Sequence, residues 1–175
     1  MVNNQMKKGL DPLVCGNPKI LVLGTLPGDK SLELEEYYSN PKNRFWKVVA
    51  ALLDEKSVPD NYEGRKKFLE SAHIALWDVY KNAVRKNSLD VNIRAAEVNN
   101  FDEIFKLIQD NSNIEKIVFN GKRSSKVFSE KYQNKLKAAL KDRSVVFCQL
   151  SSTSGASRKK TKDLIDEWKV ELKGL

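Results

Sequence analysis

Over its 175 residues the chain carries one histidine, two cysteines and five prolines. Cys15 and Cys148 lie far apart with no CxxC spacing, which argues against an iron–sulfur cluster or a structural zinc site. They read as reduced thiols. His73 has no second histidine with which to share a metal, and none to complete a Ser-His triad, so it reads as structural. No apolar stretch approaches the length of a bilayer span, and MVNNQMKKGLDPLVCG lacks the apolar core of a signal peptide. The expectation is a cytoplasmic protein without metal, organic cofactor or membrane partner. Acidic residues are also in deficit, 23 against 31 Lys and Arg, for a formal charge of +8. That excess suits an acidic polymer such as nucleic acid, and it equally suits plain solubility.

Hydrophobic residues make up 41% and aromatics only 9%, ordinary values for a soluble globular chain. The length fits one well-packed core and is short for two. Residues 1–175 therefore read as a single domain, expected to act as a monomer.

Ile20 to Leu23 form a short continuous apolar run, stopped by Gly24-Thr25-Leu26-Pro27-Gly28. Further buried-looking strands are Ile74 to Val79, Ile117 to Phe119 and Val145 to Leu150. Helical stripes lie between and after them, over Asn43 to Asp54, Arg65 to Ser71, about Asn99 to Gln109, Arg123 to Tyr132 and Arg158 to Lys173. Lys81 to Ile93 reads as a basic, irregular connection. Strands alternating with helices predict an α/β fold with a parallel sheet covered on both faces.

In such sheets ligands sit beyond the carboxyl ends of the strands. Four polar or glycine-rich ends, GTLPG, WD, NG and SSTSGAS, should therefore converge on one rim. A rim of this kind can hold a small polar ring between backbone amides, an aromatic plate and a few side-chain hydrogen bonds. GTLPG is not the G-x-G-x-x-G of a dinucleotide site.

Several segments, in order, resemble the uracil-DNA glycosylase superfamily, and within it the hypoxanthine-DNA glycosylase branch (DNA-deoxyinosine glycosylase, family 6). GTLPGDKSLELEEYYSNPKNRFW is similar to that family's G-S-x-P-G-x-x-S-L followed by Y-Y-x-x-P-x-N-x-F-W. IALWDVY and NSLDVNI resemble A-L-W-D-V and G-S-L-D, VFNGKRSSKVF resembles F-N-G-K, and LSSTSGAS resembles L-P-S-T-S-P-A-N. The resemblance runs from about Lys19 to Trp168. It implies a three-layer fold, with a short parallel four-stranded sheet between helices. It also implies metal-free hydrolysis of the N-glycosidic bond of a flipped, deaminated base in DNA, most of all hypoxanthine. The alternatives are uracil or mismatch excision, and a non-catalytic nucleic-acid-binding homologue.

On that resemblance Tyr38 stacks on the extruded base, with packing under a helix as the plainer reading. Related branches place Asn or Asp in the first turn, where Leu26 cannot orient water, so the catalytic role passes to Asn43. Asn43 could hold the water, bond the base or simply cap a helix. The amides of Gly24, Thr25, Leu26 and Gly28, with Pro27 shaping the turn, could stabilise the departing base. Asp78 could read a base N–H or fix its loop, and Asn120 could read the base or cap the next helix. Lys42, Arg44, Ser152, Thr153, Ser154, Arg158 and Lys159 are expected to meet phosphates. Ser151, Gly155 and Ser157 replace two prolines and an Asn of the pattern, which predicts a mobile loop. Ser88 and Asp90 match the pattern without an assignable chemistry.

Overall fold

The computed structural model describes residues 6–98, 101–140 and 143–172. In chain order the elements are β1 (Met6–Lys8), β2 (Ile20–Gly24), α1 (Asp29–Leu34), α2 (Phe45–Leu52), α3 (Tyr62–Ser71), β3 (Ile74–Asp78), β4 (Tyr80–Arg85) and β5 (Ile93–Val98). They continue as α4 (Phe101–Asp110), β6 (Lys116–Asn120), α5 (Lys122–Lys131), α6 (Gln133–Ala139), β7 (Val146–Leu150) and α7 (Thr161–Leu172). A single 3₁₀ turn, Asp90–Asn92, leads into β5.

β3, β2, β6 and β7 pair in that order into an all-parallel sheet. Alternation along the strands divides the core into two layers. Leu21, Leu23, Ala75, Trp77, Ile117 and Phe119 face α4, α5 and α6, where Ile104, Ile108, Phe128 and Leu136 meet them. Ile20, Val22, Ile74, Leu76 and Val118 face α2, α3 and α7, packing on Phe45, Val48, Val49, Leu69, Leu164 and Trp168. Every residue of β2 is buried because helices cover both faces, which is why its sequence is an unbroken apolar run. The expected three-layer α/β architecture is therefore what the chain adopts.

Three expectations change. The stretch Lys81 to Ile93 is not an irregular connection: β4 pairs antiparallel with β1 and β5 in a second, three-stranded sheet. Tyr80, Ala83 and Arg85 are its buried positions, and register shifts within the β4–β5 pairing break the period-2 pattern that would have revealed a strand. The first stripe becomes helical only at Phe45, so Asn43 and Arg44 stand before α2. Two short helices, α1 and α6, had no sequence counterpart. The Asn99 end of the expected fourth-region helix and the Lys173 end of the last one lie outside the described residues.

Parallel pairing also aligns strand ends. Gly24 stands opposite Asp78 and Asn120 opposite Leu150, which brings the four carboxyl termini to one rim.

Candidate active site

A cleft of about 440 Å³ opens at that rim, within the usual range for small-molecule sites. Gly24 to Gly28, Tyr38, Asn43, Asp78 and Asn120 all line it, together with Lys42, Ser152, Thr153 and Ser154. Arg44, Arg158 and Lys159 are outside its lining. Among the described residues no group of three or more His, Cys, Asp or Glu converges as a metal site, and no helix is long and apolar enough to cross a membrane.

The GTLPG turn has all five of its carbonyls engaged by protein donors. Val79 N–H donates to Gly24 O and Tyr80 N–H to Thr25 O, each at 3.0 Å, and Leu32 N–H donates to Gly28 O at 3.0 Å. The remaining two are taken by Arg85, whose guanidinium donates to Leu26 O at 3.0 Å and also to Pro27 O. Arg85 is 1% exposed, and burial pulls its pKa down while Asp90 and Asp29 oppose the shift. With its carbonyls held in this way, the turn is fixed in the cleft lining.

Gly24 lacks a side chain for a local reason. A methyl group there would collide with the Asp78 carboxyl and sit 3.3 Å from the Tyr38 hydroxyl. Asp78 is 5% exposed, and burial, reinforced by the nearby Asp90 charge, pushes its pKa up to about 7 against partial opposition from Arg85. A carboxyl that is half protonated near neutrality thus sits in the cleft wall.

Tyr38 adopts φ 56°, a left-handed conformation that is uncommon for a bulky residue. Its ring stacks on Phe45 with centroids 4.1 Å apart at 24°, and its hydroxyl accepts a hydrogen bond from Asn120 Nδ2 at 3.1 Å. Burial raises the phenol pKa, so the hydroxyl stays neutral. With Phe45 on one face, the opposite face of the ring is the one a base could occupy.

Asn43 Oδ1 accepts from Phe45 N–H at 2.9 Å, an Asx turn that opens α2. The N-cap of α2 is Arg44, so the helix cap weighed for Asn43 gives way to this Asx turn one residue earlier, which fixes the carboxamide oxygen in the cleft lining. Asn120 does not cap α5, whose N-cap is Gly121. Its amide instead ties Tyr38 to Thr153, leaving little donor capacity for a base.

The SSTSGAS loop is held from beneath. Arg44 donates to the carbonyls of Ser154, Ser157 and Lys159, and its own N–H donates to Thr153 O at 2.9 Å. Its guanidinium organises the loop and is not turned to phosphate. Thr153 is fully buried, so its hydroxyl also faces inward. Lys159 pairs with Glu167 at 2.8 Å, and Glu167 receives the Ser151 hydroxyl as well. Burial alone would raise the Glu167 pKa, but these bonds outweigh it and hold the carboxyl low. Lys42 is exposed in the cleft lining, where Ser152 and Ser154 are half-buried, and Arg158 is exposed outside that lining.

Sequence reading left Ser88, Asp90 and Arg85 without a role. Ser88 Oγ accepts from Asp29 N–H at 2.9 Å, and Asp90 accepts from the Thr25 hydroxyl at 2.6 Å while lying 3.8 Å from Arg85. The two hydrogen bonds span 59 and 65 residues of chain, so no local pattern could signal them.

The model of the uracil DNA glycosylase superfamily matches residues 12–173 of this chain. A hypoxanthine DNA glycosylase of Methanosarcina barkeri is 33% identical over 167 residues, covering 95% of this chain and 98% of that protein. One from Methanosarcina acetivorans is 32% identical over 165 residues, covering 94% and 97%. A solution NMR structure of a Methanosarcina acetivorans protein, provisionally described as a uracil DNA glycosylase, superposes with a TM-score of 0.76 at 31% identity, covering 95% of this chain and 96% of the other. With the superfamily model matching residues 12–173 and relatives of 33% and 32% identity covered almost end to end, the chain belongs to the uracil DNA glycosylase superfamily.

Proposed function

We propose that this protein is a monofunctional DNA glycosylase that hydrolyses the bond between deoxyribose and hypoxanthine, leaving an abasic site. Two curated relatives that match nearly the whole chain carry that activity in their names. The observation that carries the reading onto these residues is the single cleft shared by Tyr38, Asn43 and the GTLPG turn. A base stacked in duplex DNA is out of reach, so the nucleotide must swing out into such a cleft.

In this reading the extruded purine lies on the free face of Tyr38. As the glycosidic bond breaks, positive charge grows on the sugar and negative charge on the purine. The turn amides at Leu26 and Gly28 face that negative charge with fixed dipoles, held because their neighbouring carbonyls are bound elsewhere. Asn43 directs its amide group at the water or the base edge. Water adds its oxygen to the sugar carbon and gives up a proton to solvent, the bonding electrons leave with the purine, and the purine takes up a proton from solvent after release. Asp78 in its neutral form adds no repulsion to the departing anion. Lys42, Arg158, Ser152 and Ser154 meet the phosphates flanking the extruded nucleotide. The protein works as a single-domain monomer in the cytoplasm on DNA carrying a deaminated base.

The test is a single-turnover assay on labelled duplexes bearing hypoxanthine, uracil, xanthine or a thymine mismatch, with alkaline cleavage of abasic products. Hypoxanthine release is the expected result. Release of uracil without hypoxanthine overturns the substrate assignment, and tight binding without any base release overturns the catalytic one.

A further inference from the structure

We propose that Leu89 and Val91 form an apolar wedge that enters the base stack at the gap left by the extruded nucleotide. Isolated apolar side chains on a surface call for no explanation, but these two are not placed at random. Of the large apolar side chains exposed among the described residues, Leu89 and Val91 are the two that line the cleft, at 43% and 71% exposure. They project from the 3₁₀ turn at Asp90–Asn92, on a different segment from the SSTSGAS loop. That loop, from Ser152 to Ser157, carries no apolar group larger than a methyl. A gap between stacked bases is filled by apolar side chains, so the rim segment that has them is the one suited to the task.

The tip is braced as a wedge must be. Asn87 Oδ1 accepts from Leu89 N–H at 2.9 Å and from Asn92 Nδ2 at 3.1 Å, and Arg94 donates to Val91 O at 3.0 Å. Asn92 N–H closes the turn on Leu89 O at 3.0 Å. Between the two apolar residues, Asp90 takes the Thr25 hydroxyl at 2.6 Å, so the tip is joined directly to the turn assigned to the base. Ser88 does the same through Asp29 N–H. Lys86 and Arg94 are exposed on either side of the tip, where a duplex entered by the wedge would bring its phosphates. Insertion of the wedge and capture of the base are thus functions of one connected piece of structure.

This role rests on the glycosylase reading, but its test does not require catalysis. A duplex carrying a tetrahydrofuran abasic analogue beside a 2-aminopurine reports unstacking as fluorescence. Wild-type protein at saturation is expected to raise that signal, and the double variant Leu89→Ala, Val91→Ala to lose most of the rise, roughly threefold or more. The double variant Leu89→Met, Val91→Ile is expected to restore it, and unchanged thermal midpoints verify that all three proteins are folded. In parallel, the ratio of duplex to single-strand hypoxanthine excision should fall about tenfold in the alanine variant, since a single strand has no stack to fill. An undiminished fluorescence rise in the alanine variant, or no rise with wild type, overturns the wedge. A rise with wild type but no hypoxanthine release sinks the glycosylase reading and leaves the wedge standing.

Discussion

Asn120 and Thr153 hold each other twice: Asn120 Nδ2 donates to Thr153 Oγ1 at 2.9 Å, and Thr153 N–H donates to Asn120 Oδ1 at 2.9 Å. The pair locks the end of β6 to the start of the SSTSGAS loop, and Tyr38 is fastened to the same amide at 3.1 Å. Asn120→Asp keeps the acceptor for Thr153 N–H but removes both donors. It is expected to lower stability by about 1–3 kcal/mol, because buried partners lose their bonds. Hypoxanthine excision should fall at least about tenfold as Tyr38 loses its tether. Denaturant unfolding and single-turnover kinetics on one preparation check both.

Arg85 is the second internal brace. Lysine keeps the charge but cannot fork onto the Leu26 and Pro27 carbonyls at once. Arg85→Lys is expected to destabilise the fold by about 2 kcal/mol or more, and to lower the excision rate constant more than DNA affinity. Titration of binding to an abasic-analogue duplex, set beside single-turnover rates at saturating protein, separates the two effects. An equal loss in both would show that Arg85 supports the cleft as a whole and not the turn in particular.

Asn43 combines an Asx turn onto Phe45 N–H with a proposed catalytic amide, and two substitutions separate them. Asn43→Asp retains the oxygen that accepts from Phe45 N–H, whereas Asn43→Ala removes it. The alanine variant should lose about 1 kcal/mol of stability and the aspartate variant little. Both should lose excision activity by about 100-fold, because the amide donor is gone from each. Full excision by Asn43→Ala would remove Asn43 from the mechanism.

Asp78 predicts a pH signature. Its carboxyl titrates at about 7 in the folded protein, against about 3.9 in an unfolded chain. Between those values the folded state binds the extra proton, so this group's contribution to stability is lost as pH rises from about 4 to about 7. Compared with Asp78→Asn, wild-type unfolding free energy should fall across that window and level off above it. Excision should decline above pH 7 in wild type, where a carboxylate faces the leaving anion, and the decline should flatten in Asp78→Asn. Parallel denaturation and rate profiles from pH 4 to 9 test both.

The strands of the central sheet were legible because burial on both faces leaves an unbroken apolar run, as in Ile20 to Leu23. α2 and α7 were legible from their one-sided apolar stripes, with Phe45, Val49, Leu164 and Trp168 on the core side. β4 was not, because Lys81, Asn82 and Arg85 interrupt a short strand whose pairing shifts register. Among the rim residues, charge alone misled: Arg44 and Lys159 look like phosphate contacts in a line of letters, yet one binds three carbonyls and the other a glutamate.

Order and spacing of residues determined the α/β fold, its parallel sheet and the rim where GTLPG, Asp78, Asn120 and SSTSGAS meet, because hydrophobic period and turn chemistry are local properties written along the chain; Tyr38 and Asn43 were added to it by family resemblance. The tertiary structure alone decided which polar groups are consumed in holding the site and which remain to act. Arg85 takes the carbonyls of a turn 58 and 59 residues away, Asp90 takes a hydroxyl 65 residues away, and Leu89 and Val91 reach the cleft mouth on a segment no periodicity predicted. A hydrogen bond has no sequence signature once its partners are separated by more than a turn of structure, so such assignments wait on the fold that brings them together.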